Sequence, residues 1–158
     1  MAKFPVTVEG YNKLQVELKQ LINDDRPSII KAIAEARTHG DLSENAEYHS
    51  AKEKQSFIEG RINEIESKLS NAEIIDITTL DVKNKVIFGS TVQLENITTN
   101  TLVKYQIVGE DEVNIENGMI SYKAPFARAI IGKSNNDVIE FESAKGQEVY
   151  KIHKIEYI

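Results

Sequence analysis

The clearest pattern along the chain is an apolar stripe with helical spacing in residues 48–72. Apolar side chains recur there at alternating intervals of three and four residues, which is the spacing of a coiled-coil seam. The members of this stripe are Tyr48, Ala51, Gln55, Ile58, Ile62, Ile65, Leu69 and Ala72, of which only Gln55 is polar. The pattern predicts a long helix that packs against a partner helix along one face.

A second region with helical spacing precedes this stripe, but its seam is broken near the middle. The seam consists of two parts, Leu14, Leu18 and Leu21, then Ile22, Ile29, Ile33 and Ala36. The two parts are offset by one residue, and Pro27 lies near the join. Because proline removes a backbone donor and kinks or restarts a helix, we predict one long helix from about Thr7 with a disturbance at residues 24–27.

Antiparallel pairing of the two helical regions places a turn at the far end of a hairpin. Facing residues in such a hairpin have a constant sum of positions, and four apolar pairs share one sum. These pairs are Ala36 with Ala51, Ile29 with Ile58, Ile22 with Ile65, and Leu18 with Leu69. The turn therefore centres between Ser43 and Glu44, and each arm extends about 45 Å at ~1.5 Å per residue.

Beyond about residue 75, short β-rich runs replace the helical spacing, and turn residues separate them. The runs are residues 86–88, 91–94, 103–108, 120–122, 138–141 and 149–158. Residues 124–131, with Pro125 near their start, favour a short helix. We therefore predict an α+β protein of two domains, in which residues 1–77 form an antiparallel α-helical coiled-coil hairpin and residues 78–158 form an antiparallel β-sheet domain with a short helix.

Composition narrows the classes of function. The chain has 158 residues with 41% hydrophobic content, which suits one or two small domains. Its net charge of -6 argues against a protein that coats duplex nucleic acid by itself, because such binding depends on neutralising phosphates. The sequence has no cysteine, no signal-peptide pattern at its start and no run of ~18 apolar residues to span a bilayer. We expect a cytoplasmic protein that does not associate with membranes.

The predicted turn carries two carboxylates, Asp41 and Glu44, and two interpretations of them stay open. Asp at a helix N-cap with Glu three residues later is a capping box, which would use these side chains to begin the second helix. Exposed carboxylates also bind hard cations, and Mg²⁺ takes one or two protein carboxylates while water and phosphate oxygens complete its shell. Two acids alone bind such an ion weakly, so a metal here would be shared with the site of a partner.

Other polar residues flank the turn. His39 and His49 suggest a zinc site together with nearby acids, although their spacing fits no standard zinc motif. Arg37, Lys52 and Lys54 can attract a phosphate backbone, or they are solvated charges that pair with neighbouring glutamates. The sequence contains no nucleophilic triad, P-loop or dinucleotide fingerprint.

Several stretches resemble one known family along nearly the whole chain. The stretch Ile-Ala-Glu-Ala-Arg-Thr-His-Gly-Asp-Leu-Ser-Glu-Asn-Ala-Glu-Tyr-His at residues 33–49 resembles the signature of the bacterial Gre transcript cleavage and elongation factors, GreA type. Further similar stretches are residues 7–11, 59–62, 86–90, 107–112 and 127–133. The resemblance implies a coiled-coil hairpin followed by an FKBP-like domain, in agreement with the two predicted domains.

The resemblance also implies a function in transcription. Factors of this family bind the rim of the secondary channel of bacterial RNA polymerase with their C-terminal domain, and the hairpin enters the channel. The tip acids, matched here by Asp41 and Glu44, help to hold a second Mg²⁺ in the polymerase active site. The polymerase then cleaves the 3′ end of the backtracked nascent RNA and resumes elongation. Arg37 and Lys52 match basic positions of the family that face the extruded RNA.

We therefore expect a monomeric auxiliary factor that is not an enzyme alone, with no cofactor bound independently and with Mg²⁺ supplied by the polymerase active site. Two alternatives are a working prolyl isomerase in the C-terminal domain and an inhibitory paralogue that enters the channel without promoting cleavage. The chain has no Trp, which isomerases of that fold use as a pocket floor, and its acidic pair is intact. Its departures from the family pattern bear on polymerase docking and are Val113, Asn114, Ala124, Asn136, Ser143 and Ala144.

Overall fold

The computed structural model describes residues 3–158, and their contacts divide into two compact units. Tyr11–Ala72 form a helical unit, whereas Lys3–Gly10 and Glu73–Ile158 together form the second unit. This division differs from the predicted boundary between residues 77 and 78. Strand β1 (Phe4–Thr7) pairs with strand β2 (Ala72–Ile75), and residues 73–77 belong to the second unit together with Lys3–Gly10.

The helical unit is an antiparallel hairpin, as predicted. Its first arm consists of helix α1 (Val8–Gln20), a π-helical segment (Leu21–Asp25) and helix α2 (Arg26–Arg37). Its second arm is helix α3 (Ala46–Asn71), which packs along α2 and the π-helical segment. No helix among residues 3–158 is long and apolar enough to cross a membrane.

Two apolar clusters join the arms and contain the predicted seam. The first buries Leu14, Leu21, Ile62 and Ile65, and the second buries Ile29, Ile33 and Ala51. Ile58 packs against both clusters, so the seam is continuous along the hairpin. Burial of an isoleucine or leucine side chain stabilises a fold by about 1.5–3 kcal/mol, so these contacts are the main stabilising interactions of the hairpin.

The π-helical segment explains the one-residue offset in the sequence pattern. The backbone N–H of Arg26 donates to the carbonyl of Leu21, five residues earlier, so this turn contains one residue more than an α-helical turn. The extra residue rotates α2 relative to α1, and Leu21 and Ile29 therefore both lie on the seam. Pro27 lies in the first turn of α2, where its missing N–H costs little. The predicted disturbance is confirmed.

Two bidentate ion pairs connect the arms outside the seam. Arg26 contacts both carboxylate oxygens of Glu59 at 2.8 Å, and Arg61 contacts those of Glu17 at 2.6 and 2.8 Å. The hydrogen bond from Arg61 lowers the pKa of the Glu17 carboxyl below its ordinary value. Because these side chains are partly exposed, solvent screens both ion pairs, and they stabilise the hairpin less than the apolar seam does.

The second unit is built around a curled five-stranded sheet with the order β5-β4-β3-β7-β6. Its strands are β3 (Thr91–Asn96), β4 (Thr101–Val108), β5 (Met119–Ser121), β6 (Val138–Ser143) and β7 (Gly146–Glu156). The pairs β3–β4, β3–β7 and β6–β7 are antiparallel, as predicted, whereas β4 and β5 are parallel. The connection between β4 and β5 contains two 3-10 turns and brings the chain back only as far as Gln106, because β5 pairs with the last three residues of β4.

The core of this unit lies between the sheet and helix α4 (Pro125–Ile130), the short helix that the sequence predicted. Its buried members are Val86, Val92, Leu94, Ile107, Ile120, Ala127, Ile130, Ile139 and Ile152. Residues 86–88 were expected to form a strand, and they do not. The N–H and C=O of Val86 instead bond to Lys133 and Gly132, both at 2.8 Å, so the loop after α4 takes the place of a strand partner.

Some departures from the family pattern lie in turns whose backbone they suit. Asn136, one of the departures named above, has a φ of +72°, and asparagine tolerates this left-handed conformation better than most residues. The side chain of Asn114 accepts from the N–H of Asn117 and begins a 3-10 turn. Ala124 precedes α4 without providing a side-chain cap.

The carboxylate of Glu112 ties residues 3–10 to the sheet. It accepts from the N–H of Thr7 at 3.1 Å and from the N–H of Gly109 at 2.9 Å, and it also accepts from the Thr7 hydroxyl. A Cβ atom at Gly10 would overlap the Glu112 carboxyl group. The absence of a side chain at this position therefore permits the close approach that the hydrogen bonds need.

We expect Glu112→Ala to loosen the N-terminal segment, because it leaves three donors of Thr7 and Gly109 without an acceptor. The free energy that holds this segment in place should fall by about 1–3 kcal/mol, because the site is half-buried. Faster amide hydrogen exchange at Thr7 and Gly109 would measure this loss directly. Glu110→Ala is the matched control, since Glu110 forms an exposed ion pair with Lys123 at 3.0 Å. Unchanged exchange at both amides in Glu112→Ala would show that this carboxylate does not anchor the segment.

Tyr150 should lose its proton at a higher pH than an ordinary tyrosine does. Burial, together with the hydrogen bond from its hydroxyl to Glu148 at 2.9 Å, raises the pKa of Tyr150 from 10.0 to about 12. Since this pKa lies above the ordinary value, the protonated phenol stabilises the folded unit below pH 10, and that stabilisation is lost as the pH rises from 10.0 to about 12. Tyrosinate absorbance should show a late component that Tyr150→Phe removes and that Tyr11→Phe, in the hairpin, leaves in place.

Candidate functional site

The connection between α2 and α3 forms an exposed loop at the end of the hairpin, which we call the tip loop (residues 38–45). Residues 37–44 are all exposed, and Asn45 is half-buried. The predicted centre of the turn, between Ser43 and Glu44, lies inside this loop. Asp41 and Glu44, which we call the acidic pair, are therefore on the surface of the hairpin unit and are not packed against its seam.

Hydrogen bonds from Thr38 and His39 satisfy backbone carbonyls in the last turn of the first arm. The hydroxyl of Thr38 donates to the carbonyl of Glu35 at 2.6 Å, and the N–H of His39 donates to the carbonyl of Ala36 at 3.1 Å. Gly40 follows with a φ of +128°, a backbone conformation that side chains disfavour. The chain can thus leave the helix and turn within a few residues.

Asp41 shapes the loop with one of its two carboxylate oxygens. Its Oδ1 accepts from the N–H and from the hydroxyl of Ser43, both at 3.1 Å, in an Asx turn. Within residues 3–158, no hydrogen bond occupies the other oxygen of Asp41 or the carboxylate of Glu44. The acidic pair lines one shallow, open depression together with His39, Asn45 and Glu47.

The N-cap of α3 is Asn45, so the capping-box interpretation of Asp41 and Glu44 is wrong. The side-chain Oδ1 of Asn45 accepts from the N–H of Tyr48 at 3.0 Å, and its Nδ2 donates to the carbonyl of Ala36 at 2.5 Å. Sequence reasoning missed this residue. A signal was present, because asparagine is a preferred N-cap and stands three residues before Tyr48, the first member of the apolar stripe.

The two histidines do not form a metal centre with the acids. Nε2 of His49 lies 3.3 Å from the carbonyl of Ser43, and its ring packs edge-on against Tyr48 at 5.5 Å between centroids. In the described part of the chain, no group of three or more His, Asp or Glu side chains is arranged to hold a metal ion. The zinc alternative therefore lacks the ligand cluster it requires.

The basic residues lie on the two arms just below the tip loop. Arg37 ends α2, and its guanidinium carbon lies 5.9 Å from the centroid of the Tyr48 ring. The ammonium of Lys52, on α3, donates to Oε1 of Gln55 at 3.1 Å. In residues 3–158 neither side chain forms an ion pair with a glutamate, which leaves both positive charges available to a ligand.

The donor set of the tip fits a shared Mg²⁺ better than an ion held by this chain alone. Carboxylate oxygens are hard ligands, and Mg²⁺ needs about six oxygens in octahedral geometry. Asp41 and Glu44 can supply one or two of them, and their exposure leaves room for water or for oxygens of another molecule. The acidic pair is thus able to complete an incomplete metal site rather than to form one.

Two family models match successive parts of the chain, and full-length relatives are similar to all of it. Residues 4–74 match the family model "Transcription elongation factor, N-terminal", and residues 81–157 match "Transcription elongation factor, GreA/GreB, C-term". The chain is 56% identical to transcription elongation factor GreA of Thioalkalivibrio sulfidiphilus over 100% of both proteins. It is 53% identical to the protein of the same name from Halorhodospira halophila, over 99% of each.

The chain is also similar to solved structures. The crystal structure of GreA factor homolog 1 from Thermus thermophilus is 25% identical, with 98% of this chain and 99% of that chain covered and a TM-score of 0.43. The GreA/GreB factor from Nitrosomonas europaea is 19% identical, with 98% and 100% covered and a TM-score of 0.44. The two family models and the full-length relatives show that the chain belongs to the GreA/GreB family of transcription elongation factors.

Proposed function

We propose that this chain rescues backtracked, arrested bacterial RNA polymerase by stimulating the cleavage of the nascent RNA 3′ end that the polymerase itself performs. Membership of a family of transcription elongation factors supports a role in transcription elongation. The exposed acidic pair supports the stimulation of RNA cleavage. Under this proposal the chain is not a catalyst alone. It completes the active site of its partner.

The geometry of the tip residues supports the roles that we propose for them. Asp41 presents one free carboxylate oxygen while its other oxygen keeps the turn closed through Ser43, and Glu44 presents both of its oxygens. These two side chains would help to hold a second Mg²⁺ in the polymerase active site. A second metal ion activates a water and stabilises the leaving oxygen of a phosphodiester.

The hairpin is long enough for the role that we propose. The first arm extends about 45 Å and α3 about 39 Å at ~1.5 Å per residue. Alanines near the tip loop, Ala36 and Ala51, are both buried between the arms, which allows the helices to approach closely there. A slender hairpin of this length can pass through the secondary channel to an active site that a globular domain cannot reach.

Arg37 and Lys52 would contact the extruded RNA. They lie on opposite arms beneath the acidic pair, and their positive charges can bind phosphates that approach the tip. The C-terminal sheet unit would bind the rim of the channel, and one monomer would act on one polymerase. The whole assembly would act in the cytoplasm, where transcription takes place.

The acidic pair provides the main test. We expect Asp41→Asn and Glu44→Gln to keep the hairpin folded, because Asn45 rather than either acid caps α3. Cleavage of RNA in a stalled, backtracked complex should slow by about 10- to 100-fold, which equals about 1.4–2.7 kcal/mol of lost transition-state stabilisation. The measurement is a cleavage time course at limiting Mg²⁺, with and without the protein.

Glu66→Gln is the matched control, since Glu66 is an exposed glutamate on α3 far from the tip loop. It should stimulate cleavage like the wild type. Wild-type rates with Asp41→Asn at limiting Mg²⁺ would contradict the ligand role. A wild-type chain that competes for the polymerase without stimulating cleavage would instead identify an inhibitor, and RNA cleavage without polymerase would identify an independent nuclease.

The basic residues provide a second test. Arg37→Ala and Lys52→Ala should each weaken stimulation by roughly tenfold, since a hydrogen bond to a charged group contributes about 1.5 kcal/mol or more. The loss should shrink as salt is raised. Lys19→Ala, an exposed lysine at the end of α1, serves as control and should have no effect. Equal stimulation by all three variants would show that the two residues do not contact RNA.

A further inference from the structure

The side chain of Asn45 connects the two arms at the point where the tip loop begins and ends. Its Nδ2 donates to the carbonyl of Ala36 in the last turn of α2, and its Oδ1 accepts from the N–H of Tyr48 in the first turn of α3. We propose that Asn45 is a positioning residue, which fixes the loop so that Asp41 and Glu44 are presented in one orientation. This inference rests on the proposed function, in which the acidic pair completes a metal site.

The two hydrogen bonds make Asn45 more than a helix cap. A cap needs only an acceptor for a free N–H of the first turn, and serine, threonine, aspartate or asparagine can each provide it. The bond to Ala36 needs a donor on the same side chain as that acceptor. A carboxylate lacks this donor, and a hydroxyl attached directly to Cβ is too short to span both arms. Of these four residues, only asparagine therefore meets both requirements.

The loop needs such a connection because little else restrains it. Its residues before Asn45 are exposed, and nothing lies within 4 Å of a Cβ placed on Gly40. Glycine permits many backbone conformations, so this position alone would let the loop change shape. Ser43 is bonded to Asp41 and to His49 of α3, and Thr38 and His39 are bonded to α2, but none of these hydrogen bonds joins α2 to α3.

Positioning should matter for the chemistry more than for the fold. Metal ligands act only within a narrow range of distance and angle, and a displacement of about 1 Å can cost about 100-fold in rate. The apolar clusters that join the arms lie elsewhere, around Ile29, Ile33 and Ala51 and around Ile62 and Ile65. Loss of the Asn45 bridge would therefore leave the hairpin paired while the acidic pair loses its fixed orientation.

Three variants separate positioning from capping. Asn45→Ser keeps an acceptor for the N–H of Tyr48 and loses the donor to Ala36, whereas Asn45→Ala loses both. Ile62→Val removes one methylene from the buried seam and destabilises the hairpin without touching the tip loop. Each full-length protein is added to backtracked complexes, and three quantities are measured: the maximal cleavage rate, the half-saturating protein concentration and the half-saturating Mg²⁺ concentration.

If Asn45 positions the acidic pair, Asn45→Ser and Asn45→Ala should both lower the maximal rate by about 10- to 100-fold. Both should raise the half-saturating Mg²⁺ concentration several-fold, and their half-saturating protein concentrations should stay within about twofold of the wild type. Ile62→Val should match the wild type in all three quantities. Wild-type cleavage by Asn45→Ser together with a loss in Asn45→Ala would show that Asn45 is only a cap, and the proposal would fail.

A failure to fold would give a different result, since the protein would then compete poorly with the wild type for the polymerase. Equal losses of competition and of cleavage in Asn45→Ser would overturn the proposal in favour of a structural role. If the wild type does not stimulate cleavage at all, the proposed function fails, and the bridge is then tested on the isolated protein. The backbone amide resonances of Ser43 and Glu44 should shift in Asn45→Ser and not in Ile62→Val, and unchanged resonances would overturn the proposal.

Discussion

Ile62 and Ile65 of α3 are almost completely buried, at 1% and 0% exposure, against side chains of α1 and the π-helical segment. This seam sets the register between the arms, because sliding α3 by one turn would expose isoleucines that each contribute about 1.5–3 kcal/mol. The ion pairs beside it contribute less, since Arg26, Arg61 and their partners are partly exposed. Register in turn determines which residues form the tip, so the location of the acidic pair depends on packing far from it.

The seam also requires the π-helical segment. Continuing the seam spacing of Leu14, Leu18 and Leu21 puts the next seam positions at residues 25 and 28, so the chain has one extra residue before Ile29. A π turn absorbs that residue without ending the helix, and Pro27 lies in the first turn after it. One local irregularity therefore permits a straight partner, α3, to pack along the whole first arm.

The hairpin, its tip and the two classes of secondary structure could be predicted from the sequence, because each depends on the spacing of apolar residues or on local turns. The missed features depend on contacts between residues far apart in the chain. Glu112 and Thr7 are 105 residues apart in the sequence, and no pattern in either segment predicts the hydrogen bond between them. The parallel pairing of β5 with β4 depends in the same way on how a long connection folds. At the site, the spacing Asp-x-x-Glu left capping by Asp41 open as one of two interpretations, whereas the structure has Asn45 as the N-cap.

That selection has a chemical consequence for the proposed function. A carboxylate that caps a helix has at least one oxygen turned toward backbone N–H groups, and Mg²⁺ would have to compete for it. Since Asn45 satisfies the N–H of Tyr48, Glu44 keeps both of its oxygens and Asp41 keeps one. A neutral amide also connects the arms without adding a third negative charge beside the acidic pair, where repulsion would oppose a fixed arrangement. Under the proposed function, an amide that holds the loop and two acids that face outward would together allow a short, exposed turn to complete a metal site in another protein.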